Sequence, residues 1–100
     1  MENNIKTPLN EEPFGIRSME RFDVGDLVRW TELNTKGTDK VPRLGIIYEL
    51  FFEKRGNRNV ALAIVHEVTN SKQNISVLGR KVEVLAVCLD LVSKITVNNV

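Results

Sequence analysis

The stretch that decides the fold runs from Phe22 to Trp30 and reads FDVGDLVRW. A glycine–aspartate turn leads directly into a segment in which apolar and polar side chains alternate. Alternation with a period of two is typical of a strand that buries one face. A turn followed by such a strand is a common beginning of small, strongly bent β-barrels. The stretch therefore predicts a scaffold and does not indicate a reaction.

The β pattern continues from this stretch to the end of the chain. Polar loops and glycine-containing turns separate five predicted strands: 27–33, 43–54, 60–68, 81–87 and 91–97. Residues 75–78 could extend a hairpin before a turn at Gly79, and residues 88–90 could form one helical turn. Another short helix is conceivable only over 13–21, where Gly15 disfavours it. This layout predicts an all-β fold, a small five-stranded barrel.

One hundred residues are enough for one domain with a small core. We predict that residues 21–97 form the barrel and that residues 98–100 are a tail. Residues 1–20 have no sustained periodicity and contain two prolines, which disfavour helix just before them. They predict an extended N-terminal arm, anchored at Phe14 and Ile16.

Composition narrows the class of protein. Hydrophobic residues make up 42% of the chain, and the net charge is +1. No apolar run approaches the ~20 residues that cross a bilayer, and residues 1–4 lack the pattern of a secretory signal. Cys88 is the only cysteine, which excludes an internal disulfide. We expect a protein of the host cytoplasm or of a virion assembled there, neither secreted nor bound to a membrane.

The strand faces indicate apolar side chains on both sides of the sheet. In the second strand we expect Ile47 and Phe51 to point outwards or beneath the arm, and the alternate residues to point inwards: Leu44, Ile46, Tyr48, Leu50 and Phe52. The next two strands leave both orientations open. If small residues fill the inside of a tight barrel, the inward positions are Ala61, Ala63, Val65, Val82, Val84 and Ala86. The outward positions are then Leu62, Ile64, Leu85 and Val87.

An outer surface of this kind requires a cover. Moving one large apolar side chain out of water contributes roughly 1.5–3 kcal/mol, and monomers seldom expose several such side chains together. The N-terminal arm alone could cover them, or a second copy or a larger assembly could do so. We predict a protein-protein interface formed by Phe14, Ile16, Phe51, Leu62, Ile64 and Leu85.

Residues that could carry chemistry are few. His66 is the only histidine and has no cluster of metal ligands around it in the sequence. Cys88 lies among apolar residues and is expected to behave as a buried hydrophobe. Asp23 and Asp26 flank a turn, where backbone capping explains them better than catalysis. Trp30 is expected in the core or at the barrel rim. We therefore expect no enzyme, no cofactor, no metal and no small-molecule substrate.

Binding of single-stranded nucleic acid is the alternative function. Basic residues crowd the predicted turn after the second strand and follow Gly79, and could contact phosphates: Lys54, Arg55, Arg58, Arg80 and Lys81. Trp30, Tyr48 or Phe51 could then stack on bases. The nearly balanced total charge does not by itself supply a basic face.

Two resemblances add to this interpretation. The opening GDLVRW, the long polar loop, the hairpin around Gly56 and the ending LDLV resemble a Src-homology-3-like barrel over residues 22–96. The chain lacks the paired aromatic residues of a groove for proline-rich peptides. It is also similar to small structural proteins of contractile-tailed, T-even-like bacteriophages at Gly25–Trp30, Gly45–Ile47 and Leu89–Lys94. This second resemblance implies a virion or assembly component with protein partners.

Overall fold

The computed structural model describes residues 12–70 and 75–96. These ranges contain a short helix, five strands and a turn of 3₁₀ helix: α1 (Ile16–Met19), β1 (Leu27–Leu33), β2 (Lys40–Arg55), β3 (Arg58–Asn70), β4 (Ile75–Leu85), the 3₁₀ helix (Ala86–Cys88) and β5 (Asp90–Ser93). The predicted tail and residues 1–11 of the predicted arm lie outside the described residues.

The strands form one antiparallel sheet in the order β4-β3-β2-β1-β5. The predicted all-β class with five strands is confirmed, and β1 has the predicted bounds. β2 and β3 are longer than predicted and are joined by a tight turn at Gly56 and Asn57. Gly56 has a φ of 63°, a backbone conformation that glycine adopts without a steric penalty.

Gly79 does not form the predicted turn. It lies within β4, where the register with β3 shifts between His66 and Val68. Three residues of β4, 78–80, there stand opposite a single residue of β3. The φ of Gly79 is 83°, and a positive φ is what a bulge of this kind requires. The predicted hairpin extension and fourth strand are therefore one continuous strand.

A second bulge reverses the faces of β2. Residues 47 and 49 pair with consecutive residues of β3, so Tyr48 is an extra residue in β2. The predicted orientation is wrong up to this bulge, because Ile47 lies in the core and Tyr48 is 54% exposed. After the bulge it holds: Leu50 packs against the core opposite Ala63, and Phe51 pairs with Leu62 on the other face. Phe52 pairs with the inward Ala61 but is 47% exposed. One strict alternation cannot fit both halves of β2, because the additional residue changes the phase of the pattern.

The next two strands follow the predicted faces with one exception. The small inward residues Ala61 and Ala63 are buried, and so are Val65, Val84 and Ala86. Leu62, predicted to be exposed, is only 2% exposed. Its register partners on the neighbouring strands are Phe51 and Leu85, both large and half-buried. Leu62 therefore lies between two apolar neighbours and presents almost no surface to solvent.

The core occupies one face of the sheet. Residues from every strand except β5 contribute to it, together with residues before β1 and after β4: Phe22, Val28, Trp30, Ile47, Ala63, Val65, Val84 and Leu89. Trp30 is in the core, one of the two predicted places. The indole lies against Gly45, where a Cβ atom would be 2.9 Å from the ring.

A buried carboxylate fixes the entry into β1. Asp26 is 0% exposed, and its carboxylate accepts hydrogen bonds from the N–H groups of Asp23 and Ile95, both at 2.8 Å. Lys94 Nζ donates to the carboxylates of Asp23 and Asp26, each at 2.8 Å. The expected backbone capping is confirmed for Asp26, whereas the Asp23 side chain contacts Lys94; the ion pairs with Lys94 link the start of β1 to the segment after β5.

The described part of the predicted arm is not uniformly extended. Phe14 forms a parallel bridge with Val60, in which its N–H donates to Asn59 O and its carbonyl accepts from Ala61 N–H. Gly15 then adopts a φ of 85° and begins α1. The helix packs against β3 and the 3₁₀ helix, so these residues extend the sheet and cover one end of the core.

Cys88 is exposed, contrary to the expectation of a buried thiol. The 3₁₀ helix lies two residues earlier than the predicted helical turn. Its geometry buries Ala86 and Leu89 and leaves Cys88 facing solvent. The apolar neighbours in sequence are therefore not the neighbours that surround the thiol in space.

Candidate protein-interaction site

The predicted interface residues fall into two groups. Phe51, Leu62 and Leu85 form a row across β2, β3 and β4, on the outer side of the sheet. Ile64 follows Leu62 on the same face of β3. Phe14 and Ile16 lie elsewhere, beside α1. Phe14 is 40% exposed, and the others are half-buried apart from the buried Leu62.

The residues proposed for nucleic-acid binding are dispersed and mostly occupied. Arg55 pairs with Glu53 and Glu83, and Arg80 pairs with Glu32 and Glu67. Two others lie over aromatic rings: the Arg58 guanidinium carbon lies 5.4 Å from the centre of Phe14, and Lys81 Nζ lies 4.8 Å from the centre of Tyr48. Lys54 is exposed.

Four charged side chains close one end of the core face. They form a ring, named here the charge ring, of Glu32, Arg43, Glu67 and Arg80. Arg43 lies 3.3 Å from the carboxylate oxygens of both glutamates, and Arg80 contacts both as well. The contact of Arg43 Nε with Glu32 is a charge contact, since this nitrogen has no hydrogen-bond partner.

The charge ring also changes the acidity of Glu32. Burial alone would raise its pKa, but hydrogen bonds from Trp30 Nε1, at 2.9 Å, and from Arg80 outweigh that effect. The positive charges of Arg80 and Arg43 act in the same direction, so the pKa of Glu32 is lowered. Glu32 is thus held as an ionised group, and each glutamate of the ring forms ion pairs with both arginines.

A cleft of about 380 Å³ lies beside the charge ring, two of whose residues line it, and is named here the outer cleft. Four strands contribute to its lining: Arg29, Pro42, Arg43, Leu44, Glu67, Val68, Thr69 and Leu78. The register explains its continuity, because Arg29 pairs with Leu44 and Val68 pairs with Val77. The lining combines aliphatic side chains with one exposed guanidinium.

The edge of the outer cleft is apolar and exposed. Ile75, Val77 and Leu78 are 48%, 58% and 53% exposed. They belong to β4, which has a paired neighbour on one side only within the described sheet. Three exposed aliphatic residues within four positions of an edge strand are the type of surface that proteins normally blunt or cover.

Two cations form no ion pair with a described residue: Arg29, which lines the outer cleft, and Lys81 of β4. Arg29 is exposed and stands opposite Asp90 in the β1–β5 register, but no contact within ion-pair distance joins them. Lys81 lies over Tyr48, whose ring stacks on His66 with 4.7 Å between ring centres. His66, expected to be an isolated strand histidine, is therefore part of an aromatic pair.

A second cleft, of about 310 Å³, lies beside α1 and is lined in part by Gly15, Ile16, Arg58 and Val87. Val87 of this lining is exposed, and so is Phe14, which precedes Gly15 in the chain. Of the predicted interface residues, Ile16 lines this cleft. Its lining also includes Glu12 and Arg17, which form an ion pair at 3.6 Å.

The comparisons with known proteins give no family. No protein-family model, curated protein or solved structure matches the chain. Within residues 12–70 and 75–96, no three histidine, cysteine, aspartate or glutamate side chains are grouped so that they could hold a metal ion. In the same ranges no helix is long and apolar enough to cross a membrane.

Sequence analysis missed the outer cleft for a specific reason. Residues 75–78 were assigned to a hairpin extension that ends in a turn, so Val77 and Leu78 were not considered as surface residues. The signal that could have found them is the aliphatic run before Gly79. A glycine inside a strand pattern also indicates a bulge as well as a turn.

Proposed function

We propose that the chain is a non-enzymatic structural or assembly protein that binds other proteins through the outer face of its sheet. The observation that carries this proposal is the exposed aliphatic edge beside the outer cleft, formed by Ile75, Val77 and Leu78. Fully burying one such side chain contributes roughly 1.5–3 kcal/mol. Three side chains that are about half exposed therefore offer a partner several kcal/mol of apolar contact.

We further propose that the sheet is a Src-homology-3-like barrel. Three features support this finer assignment. β1 pairs with both β2 and β5, and a 3₁₀ helix directly precedes the last strand. In addition, Arg80 of β4 pairs with Glu32 of β1. Two strands separate them, at ~4.8 Å per strand, and curvature of the sheet around its core shortens that separation.

The proposed setting is the virion, or the host cytoplasm during assembly, of a contractile-tailed bacteriophage. This part of the proposal rests on the sequence resemblance at Gly25–Trp30, Gly45–Ile47 and Leu89–Lys94. The outer cleft and the surface beside Phe14 and Ile16 are the proposed contacts with neighbouring subunits. A small domain with apolar surface on two sides suits a position between other proteins.

The structure favours protein binding over nucleic-acid binding. Two of the five proposed phosphate-binding side chains, Arg55 and Arg80, are each paired with two carboxylates. Releasing them would take an ion-pair partner from each of those four carboxylates, of which Glu32 and Glu67 would keep Arg43. A phosphate-binding surface normally presents unpaired cations along one face.

Sedimentation of assemblies from the natural source tests the proposed function. We expect the chain to sediment with a large particle in a fixed stoichiometry, measured by quantitative mass spectrometry of gradient fractions. Nuclease treatment should leave the association unchanged, because protein contacts hold it. Recovery of the chain only as a free monomer, or its release by nuclease, would contradict the proposal.

A further inference from the structure

We infer that the outer cleft binds an extended, acidic and aliphatic peptide segment of a partner protein. The inference rests on the proposed function and specifies the partner chemistry. The aliphatic part follows from the lining, since Leu44, Val68 and Leu78 meet there from three neighbouring strands. A cleft of about 380 Å³ is at the small end of ligand sites, which suits a few side chains.

The acidic part follows from the charges that surround the cleft. Glu67 lines it but is neutralised by Arg43 and Arg80. Arg29 also lines it and forms no ion pair with a described residue, although Asp90 is its register partner. Lys81 adds a second cation on the same face of the sheet, over Tyr48. Among the charged residues that line the cleft, Arg29 is therefore the one without an ion pair to a described residue, and complementarity favours a carboxylate beside it.

The extended conformation follows from the sheet edge. Leu78 belongs both to the lining of the cleft and to β4, an edge strand of the described sheet. The outward N–H and C=O groups of an edge strand can pair with an added strand. An extended segment can therefore make backbone hydrogen bonds to β4 while its side chains enter the cleft. A helical peptide pairs its backbone N–H and C=O groups within the helix, so it would not form backbone hydrogen bonds with β4.

A displayed library of random dodecapeptides, selected on the full chain, tests the inference. We expect selected peptides to combine aspartate or glutamate with leucine, isoleucine or valine. The affinity of the best labelled peptide, measured by fluorescence polarisation, should fall about tenfold or more for Arg29→Glu and for Leu78→Lys. The binding should also weaken with added salt for the wild type and lose most of that dependence in Arg29→Glu.

Matched controls use the same substitutions away from the cleft. Leu33 is 62% exposed and Arg17 lies on α1, so Leu33→Lys and Arg17→Glu should change the affinity by less than about twofold. Circular dichroism verifies that all four variants are folded. Peptides that are basic, or that bind the Arg29 and Leu78 variants as tightly as the wild type, would overturn the inference, as would a single-stranded oligonucleotide that displaces them with higher affinity.

The two proposals fail in different ways. Suppose the chain sediments with its particle and Leu78→Lys enters the particle as efficiently as Leu33→Lys. The proposed function then stands and the outer cleft is not the docking site. If instead peptides of the expected type bind the cleft but the chain is found in no particle, the inference stands and the proposed virion setting is wrong.

Discussion

Asp26→Ala is expected to lower the free energy of unfolding by about 2–4 kcal/mol. The substitution removes a carboxylate that is 0% exposed and accepts from the N–H groups of Asp23 and Ile95. Each buried donor left without a partner costs about 1–3 kcal/mol. The substitution also separates β1 from Lys94, which joins the end of the sheet to its start. Urea unfolding followed by the fluorescence of Trp30 measures the change.

Asp23→Ala is the matched control, because Asp23 contacts the same Lys94 Nζ at 2.8 Å but its side chain is 70% exposed. An ion pair of this kind contributes at most about 1 kcal/mol. We therefore expect Asp23→Ala to cost clearly less than Asp26→Ala. Equal losses would mean that the exposed ion pair, and not the buried carboxylate, holds the two ends of the sheet together.

The pH dependence gives a second measurement of the same contact. Burial would raise the pKa of Asp26, but the Lys94 hydrogen bond, the two N–H groups and the Lys94 charge outweigh it, so this pKa lies below its ordinary value of 3.8. The folded state therefore binds its proton at lower pH than the unfolded state. The stabilisation is complete above the ordinary value and is lost as the pH falls below it. As the pH falls through that acid range, the free energy of unfolding should therefore decrease less for Asp26→Ala than for the wild type.

The local sequence predicted the elements that depend on local physics. β1 was predicted at its observed bounds because the turn at Gly25 and the alternation that follows are both short-range signals. The turn at Gly56 has the same origin, since a positive φ is needed there. The buried positions Ala61 and Ala63 followed from the size of residue that a tightly curved sheet accepts on its inside.

The failures arise where one strand determines the structure of another. The bulge at Tyr48 is a property of the β2–β3 pair, and nothing in the sequence of β2 alone indicates it. Burial of Leu62 depends on Phe51 and Leu85, which reach it from two other strands. A single period-two pattern assigns faces correctly on only one side of an inserted residue, which in β2 is the side after Tyr48.

In the candidate site, too, some features follow from the local sequence and others depend on how the strands pair. An excess of apolar side chains on the outer face could be predicted from composition along each strand. The particular residues of the outer cleft could not, because Arg29, Leu44 and Val68 are neighbours only through the register of three strands. The pairing of Arg80 with Glu32 is likewise a contact between residues 48 positions apart. It pairs with a carboxylate a cation that the sequence offered for phosphate binding.

Gly45→Val is the second substitution with a large expected effect, a loss of about 3 kcal/mol or more in the free energy of unfolding. A Cβ atom at this position would lie 2.8 Å from the His66 carbonyl oxygen and 2.9 Å from two ring carbons of Trp30. The carbonyl belongs to the β3 backbone and cannot move without breaking the sheet. Overpacking by even one carbon costs typically 1–3 kcal/mol, and the valine adds three. Gly45→Ala should therefore lie near the lower end of that range.

The sign of the change in the free energy of unfolding distinguishes a tightly packed glycine from one in open space. Glycine within a strand is normally destabilising relative to alanine by about 0.5–1 kcal/mol, so an open position would gain stability from either substitution. Gly56→Ala is the control: nothing lies within 4 Å of its Cβ position, and only its φ of 63° opposes the change. In a Trp30→Phe background, Gly45→Ala should destabilise the protein less, because the phenyl ring is smaller than the indole. This comparison separates the contact of Gly45 with Trp30 from its contact with the His66 carbonyl. Stabilisation by Gly45→Ala in the native background would show that Trp30 does not pack on this backbone. It would therefore contradict the placement of Trp30 in the core.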